Sequence, residues 1–249
     1  MKVETALDNV TLILKSWSCV QAITVMDYQD DIYDPYFFLS LDVYLDGPLP
    51  NETIRREAFS DTGAFEPGTI GTKDRFILHD MPFRLEYKKT NRFDDIAILS
   101  ANGRLRDSGT YHLYRLVHSR ILFERTAWIS TIRGAIAKLP DAFWTNIRLE
   151  NQTKMEHYLN DLGAAVLRED ILFFTVSSAG FLKSMCSTLY ALNKKLEPSA
   201  RYFSSEVNQL PELPDAFSGT LESFLRLQET SLSRKYEIAQ ILAKKIIHI

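Results

Sequence analysis

Ser40-Leu41-Asp42-Val43-Tyr44-Leu45-Asp46 reads as the body of a β-strand expected over residues 36–46, and the fold is worked out from it. Side chains alternate across a strand, so Leu41, Val43 and Leu45 face one side. Ser40, Asp42, Tyr44 and Asp46 face the other. Gly47-Pro48 ends the run. Upstream, Leu7, Val10, Ile13, Leu14 and Trp17 recur at helical spacing over residues 5–18. Residues 20–26 are rich in β-branched residues and read as a strand. Downstream, Asn51 is a candidate N-cap for a short helix ending at Phe59. Residues 61–72 read as a glycine-containing loop. Residues 73–78 and 82–88 read as two strands joined by a turn at His79 to Met81. The second alternates Phe83, Leu85 and Tyr87 against Arg84, Glu86 and Lys88.

The chain changes character after Asn102-Gly103. From about residue 110 onward helical periodicities prevail and no strand is expected. Helices are expected over 110–123, 126–137, 140–163, 168–194, 199–208, 213–228 and 231–247. Pro140, Pro198, Pro211 and Pro214 stand at or near their boundaries. Helix 168–194 is apolar nearly all round and is expected at the centre of a bundle. The predicted architecture is α+β. A small mixed β-sheet with flanking helices occupies residues 1–108, and an all-α bundle occupies residues 109–249.

Composition bounds the function classes. The 249 residues are 45% hydrophobic and carry a formal net charge of −3. That balance gives no support to wrapping a nucleic-acid backbone. The two cysteines, Cys19 and Cys186, lack CxxC spacing, so neither a disulfide framework nor a thiolate metal site is expected. The opening Met-Lys-Val-Glu-Thr has no signal-peptide layout. The most apolar run, Ile171 to Leu182, is short against the roughly 20 residues of a membrane span. A cytoplasmic location without membrane partners is the expectation.

Phosphate-binding GxxxxGK[ST], dinucleotide-binding GxGxxG, HExxH and GxSxG patterns are all absent. The five histidines show no ligand spacing. What remains is a carboxylate arrangement. If the strands bearing Asp42 and Glu86 are neighbours, both acids converge at one edge of the sheet. Paired carboxylates can hold hard divalent cations beside phosphates, two such ions lying about 3.5–4 Å apart. A second account is open: the acids pair with Arg84, Lys88 or Lys73 on a solvated sheet face.

Tyr33-Asp34-Pro35-Tyr36-Phe37-Phe38-Leu39-Ser40-Leu41-Asp42-Val43-Tyr44 resembles the Asp-Pro-x-Ser-Asp-x-Asp segment of the nucleotidyltransferase superfamily. That superfamily includes polymerase-β-like enzymes and the aminoglycoside and lincosamide nucleotidyltransferases. Phe83-Arg84-Leu85-Glu86-Tyr87 resembles the strand that brings its third carboxylate. Residues 189–198 (Leu-Tyr-Ala-Leu-Asn-Lys-Lys-Leu-Glu-Pro) and 210–214 (Leu-Pro-Glu-Leu-Pro) are similar to segments of the helical domain in nucleotidyltransferase-like relatives.

The resemblance implies Mg²⁺-dependent transfer of a nucleoside monophosphate from a nucleoside triphosphate to a hydroxyl of a small molecule or protein. On it, Asp42 and Glu86 match the second and third metal carboxylates. Asn193, Lys194, Lys195 and Arg201 fall where the helical domain would face phosphates, with a solvated helix end as their other account. Glu169 or Asp170 could deprotonate the acceptor, although acids opening a helix also complement its dipole. The resemblance leaves a homodimer open.

Two departures point instead to a catalytically degenerate member that binds a ligand or a protein. Ser40 stands where the family has its first metal carboxylate, and a neutral hydroxyl is a poor Mg²⁺ ligand. Shifting the register makes Asp42 the first acid but puts Tyr44 in the second place. The family's Gly-Ser loop is replaced by Met26-Asp27-Tyr28-Gln29-Asp30-Asp31, which has no glycine and three acids. Asp27, Asp30 or Asp31 would have to supply the missing ligand.

Overall fold

A computed structural model describes residues 2–26, 37–68, 72–95, 109–226 and 231–248. The Asp27, Asp30 and Asp31 expectation, the start of the Tyr33–Tyr44 segment and the Asn102-Gly103 break lie outside the described residues.

The chain packs as two compact units. One comprises Met1–Ile98 with Arg115–Lys138, the other Leu99–Tyr114 with Leu139–Ile249. In the first unit α1 (Lys2–Lys15) leads into β1 (Val20–Val25) and β2 (Leu39–Leu45). Then come α2 (Glu52–Ala58), β3 (Gly63–Pro67), β4 (Lys73–Leu78), β5 (Met81–Lys89) and α3 (Asn91–Asp94). Helix α4 (Tyr111–His118) straddles the division, and β6 (Arg120–Glu124) and α5 (Trp128–Ile136) complete the first unit. The six strands form one mixed sheet in the order β3-β4-β5-β2-β1-β6. Only the β2–β5 pair is parallel.

One sheet face is apolar. Ile23, Leu41, Val43, Phe83, Leu85 and Phe76 pack there with Leu7, Val10 and Leu14 of α1 and with Phe59. Asn51 caps α2 by accepting a hydrogen bond from Ile54 N, as its position suggested. A buried ion pair holds this helix to the sheet: Arg55 Nε donates to Asp74 Oδ2 at 2.9 Å, and Tyr87 OH donates to the same oxygen at 2.7 Å. Burial and the Asp74 charge push the Tyr87 hydroxyl well above its ordinary pKa. The β4–β5 turn uses His79 and Asp80, both at positive φ (52° and 63°). Two left-handed residues match the twist of a tight hairpin.

Several expectations need correction. The loop expected over 61–72 contains β3, an edge strand whose Gly-Ala-Phe-Glu-Pro sequence has no β-branched residue and which exists through pairing with β4. The helix expected over 110–123 ends at His118, and a strand follows it. Arg133 Nε and Nη2 donate to the carbonyls of Leu116 and Ser119 and so close α4. The next residues, Arg-Ile-Leu-Phe-Glu, pair with β1. Pairing with an existing edge thus overrides local helical periodicity. The sheet edge on which the acids were expected is also not there: β2 is interior, between β5 and β1.

The second unit is helical among its described residues: α6 (Asp141–Leu167), α7 (Ile171–Leu192), α8 (Phe203–Glu206), α9 (Phe217–Leu225) and α10 (Leu232–Ile247), with 3₁₀ turns at Ala200–Tyr202 and Val207–Gln209. Phe181, Met185, Leu189 and Tyr190 of α7 pack with Met155 and Leu162 of α6, Leu221 and Phe224 of α9, and Leu242 and Ile246 of α10. Only the later part of α7 is central, because Ile171, Leu172 and Val176 are exposed. At 22 residues and a mean hydropathy of 1.2, α7 is long and apolar enough to cross a membrane by length and composition, a bound the shorter run 171–182 did not meet.

Two glycines give opposite expectations. A Cβ on Gly180 would overlap the Tyr158 ring between α6 and α7, whereas one on Gly134 meets no described atom within 4 Å. Alanine gains about 1 kcal/mol over glycine inside a helix, while overpacking costs about 1–3 kcal/mol. Gly134→Ala is therefore expected to stabilise and Gly180→Ala to destabilise, measured by urea unfolding.

Candidate functional site

The parallel register sets Asp42 opposite Glu86, Ser40 opposite Arg84 and Tyr44 opposite Lys88. Alternation puts all six on the face away from the apolar core. Thr24 of β1 is the register partner of Asp42 and joins them. The two carboxylates predicted to converge therefore do sit side by side on adjacent strands. On this face Tyr44 packs against Phe93 (ring centroids 5.4 Å apart) and Trp128 (5.1 Å). Burial and the nearby Asp42 charge raise the Tyr44 hydroxyl well above its ordinary pKa.

Asp42 is fully buried. Arg115 from α4 grips it with both arms: Nε donates to Oδ2 and Nη2 to Oδ1, each at 2.8 Å. Lys88 Nζ lies 2.8 Å from Oδ2. Burial alone would raise the carboxyl pKa, but Lys88 and Arg115 outweigh it and hold Asp42 below the usual carboxylate range. The same burial pulls the Lys88 ammonium below its ordinary value, against the attraction of Asp42. Glu86 is less committed. Lys73 Nζ and Arg84 Nε approach its Oε1 at 3.4 Å, and Lys88 Nζ lies 3.9 Å from Oε2. Ser40 Oγ accepts from Arg84 Nη2 at 3.1 Å and from Arg115 Nη2 at 3.2 Å.

The donor set does not fit a divalent cation. Mg²⁺ demands near-ideal octahedral oxygen coordination and is bound through carboxylates with free lone pairs. Both Asp42 oxygens are already taken by cations, and Ser40 brings a hydroxyl that two guanidinium groups occupy. Among the described residues no three His, Cys, Asp or Glu side chains gather as a metal site. The account in which the acids pair with Lys73, Arg84 or Lys88 on a solvated face matches these contacts in its partners, Lys88 for Asp42 and all three for Glu86, but not in its solvation, because Asp42 is fully buried. Arg115, which carries the strongest of them, was not foreseen.

The other candidates belong to the second unit, and their contacts are those of helix ends. The break expected between helices 140–163 and 168–194 falls at residues 168–170, because α6 runs on to Leu167 and α7 starts at Ile171. Glu169 adopts φ 54°. Glu169 N donates to Val166 O, and Asp170 N to Ala165 O. This closes α6 as a Schellman turn with glutamate in the place glycine prefers. Asp170 then caps α7, accepting from Phe173 N at 2.9 Å. The far end of α7 repeats the device. Lys194 takes φ 51°, its N–H donates to Ala191 O, and that of Lys195 to Tyr190 O. Lys194 Nζ pairs with Asp141 at 2.7 Å. Asn193 exchanges hydrogen bonds with the Glu212 backbone, its Nδ2 donating and its Oδ1 accepting. Arg201 lies in the 3₁₀ turn Ala200–Tyr202.

Removing one member of a buried pair costs about 3–5 kcal/mol, so Arg115→Met is expected to lower the unfolding free energy by that order in urea. The Asp42 pKa is depressed on folding, so its stabilisation is complete above the unfolded value near 3.9 and lost as pH falls through the lower folded value. The stability difference between wild type and Asp42→Asn is therefore expected to be flat from about pH 5 to 7 and to shrink below about pH 4. At the α6–α7 turn, Asp170→Ala is expected to cost about 1 kcal/mol. Glu169→Gly, relieving the left-handed backbone, is expected to stabilise by up to about 1 kcal/mol; thermal unfolding reads both.

No protein-family model and no curated protein matches this sequence. Among solved structures, the chain is similar to a nucleotidyltransferase-like protein from Exiguobacterium sibiricum 255-15, with 14% sequence identity and a TM-score of 0.54. The match covers 99% of this chain and 74% of the other. The fold, a six-stranded mixed sheet with helices followed by a helical region, is therefore nucleotidyltransferase-like.

Proposed function

We propose that this chain is a catalytically degenerate nucleotidyltransferase-like protein that acts in the cytoplasm as a ligand-binding module. The observation that carries this reading is the buried Asp42 carboxylate, engaged by Arg115 at 2.8 Å through both oxygens and by Lys88 at 2.8 Å. Nucleotidyl transfer of the kind the sequence resemblance implies relies on carboxylates that hand charge to metal ions, which then stabilise entering and leaving oxygens. Here fixed cations contact both oxygens of Asp42. Displacing them would leave a guanidinium and an ammonium buried without a counter-ion, at several kcal/mol each. The serine at position 40 removes a further anionic ligand and leaves this sheet face short of negative charge for Mg²⁺.

Thermal unfolding tests the reading. A ligand bound only to the folded state raises the midpoint by an amount set by its concentration over Kd. Mg²⁺ alone, at concentrations well above millimolar, is expected to leave the midpoint unmoved. ATP is expected to act equally with Mg²⁺ or with EDTA. A midpoint rise that requires Mg²⁺ and ATP together, and that Glu86→Gln removes, would instead support Mg²⁺-dependent transfer.

A further inference from the structure

The contacts around Asp42 leave the polar sheet face with more positive charge than it consumes. Four cations, Lys73, Arg84, Lys88 and Arg115, gather on two carboxylates, Asp42 and Glu86, an excess of two. Arg75 adds to it. It stands directly opposite Arg84 in the β4–β5 register, and like charges so placed repel. The excess is not evenly neutralised. Asp42 takes three close contacts, whereas Glu86 meets its cations only at 3.4–3.9 Å. Arg84 Nε is buried without a hydrogen-bond partner among the described residues. Ser40 Oγ accepts two hydrogen bonds, so its own proton is left to donate.

The cluster is also reachable. The Arg84 side chain is 32% exposed, Glu86 19%, Lys88 15% and Lys73 51%, while Asp42 and Arg115 beneath them are sealed. The buried pair thus acts as a floor that fixes Lys88 and Ser40 in place. Arg84 and Lys73 stand above it with donors to spare.

We propose that Arg84, Lys88, Lys73 and Ser40 form a metal-independent site for a phosphate group, either inorganic phosphate or the phosphate of a monoester. The proposal rests on the degenerate reading above, since the fixed cations stand in for the charge that metal ions would supply. A phosphate group carries about −1.5 to −2 charge at pH 7, which matches the excess of two, whereas a carboxylate would leave one charge over. The planar guanidinium can meet two phosphate oxygens at once, and the lysine ammonium groups act as point charges beside it.

Binding is measured by calorimetry and thermal unfolding in EDTA, with inorganic phosphate, AMP and adenosine in parallel, and with sodium chloride at matched ionic strength. Phosphate and AMP are expected to raise the midpoint beyond chloride, and adenosine is not. Comparable phosphate and AMP affinities would assign the site to the phosphate group alone, and a tighter AMP to a phosphate monoester. Losing a charge-assisted contact worth about 1.5–3 kcal/mol weakens binding roughly tenfold or more, which is expected for Arg84→Gln. Lys73→Gln, on a half-exposed side chain, provides a second variant that perturbs no buried group and is expected to weaken binding as well. The site is overturned if phosphate does no more than chloride, if adenosine matches AMP, or if both variants bind as wild type does. Phosphate binding that appears only with Mg²⁺ would overturn the site and the degenerate reading together. Loss of all phosphate effect, with Mg²⁺ still inert, would overturn the site alone.

Discussion

The buried contact between Asp42 and Arg115 is the constraint on which the polar face of the first unit depends. An ionised carboxylate inside a sheet is tolerable only with its charge and lone pairs satisfied. Arg115 supplies a planar fork that engages both oxygens, and Lys88 supplies a second cation from the neighbouring strand. These demands fix more than a side chain. Lys88 requires β5 to lie beside β2 in the observed parallel register, and Arg115 requires α4 to close over the same face. Arg133 then holds the end of α4, and the chain turns into β6. Tyr44, Phe93 and Trp128 cover the adjoining part of that face.

The same contact separates fold from chemistry. This sheet sets two acids, Asp42 and Glu86, at neighbouring positions of two parallel strands. Position alone does not make a metal ligand, because a lone pair held by a guanidinium is unavailable to an ion. Likeness in backbone to a solved nucleotidyltransferase-like protein at 14% identity therefore speaks to architecture. The electrostatics of this face are its own.

How much of this was legible in the sequence depended on whether the deciding interaction was local. The alternation in β2 and β5, the Asn51 cap and the tight turn at His79-Asp80 depend on neighbouring residues, and each was readable. Strands β3 and β6 were not, since they exist by pairing with edges that the local composition does not reveal. The break between the two long helices was readable but was expected at residues 164–167, because the residue that closes α6 is a left-handed glutamate, where glycine would have marked the place. At the site, the pairing of Glu86 with Arg84, Lys88 and Lys73 lay within short reach of sequence reasoning. Arg115 did not, being 73 positions from Asp42 on a helix whose pattern showed only periodicity.

The discontinuity of the first unit has a consequence for biosynthesis. Its sheet draws on residues 1–98 and then on residues 115–138. A nascent chain that has not reached residue 124 has β1 with one edge bare and Asp42 without its guanidinium. Such an intermediate carries a buried charge lacking its main partner and a strand edge open to intermolecular pairing. Completion of the sheet during translation must therefore wait for a segment encoded well downstream. The order in which the ribosome releases β6 sets how long the unfinished sheet is exposed to aggregation.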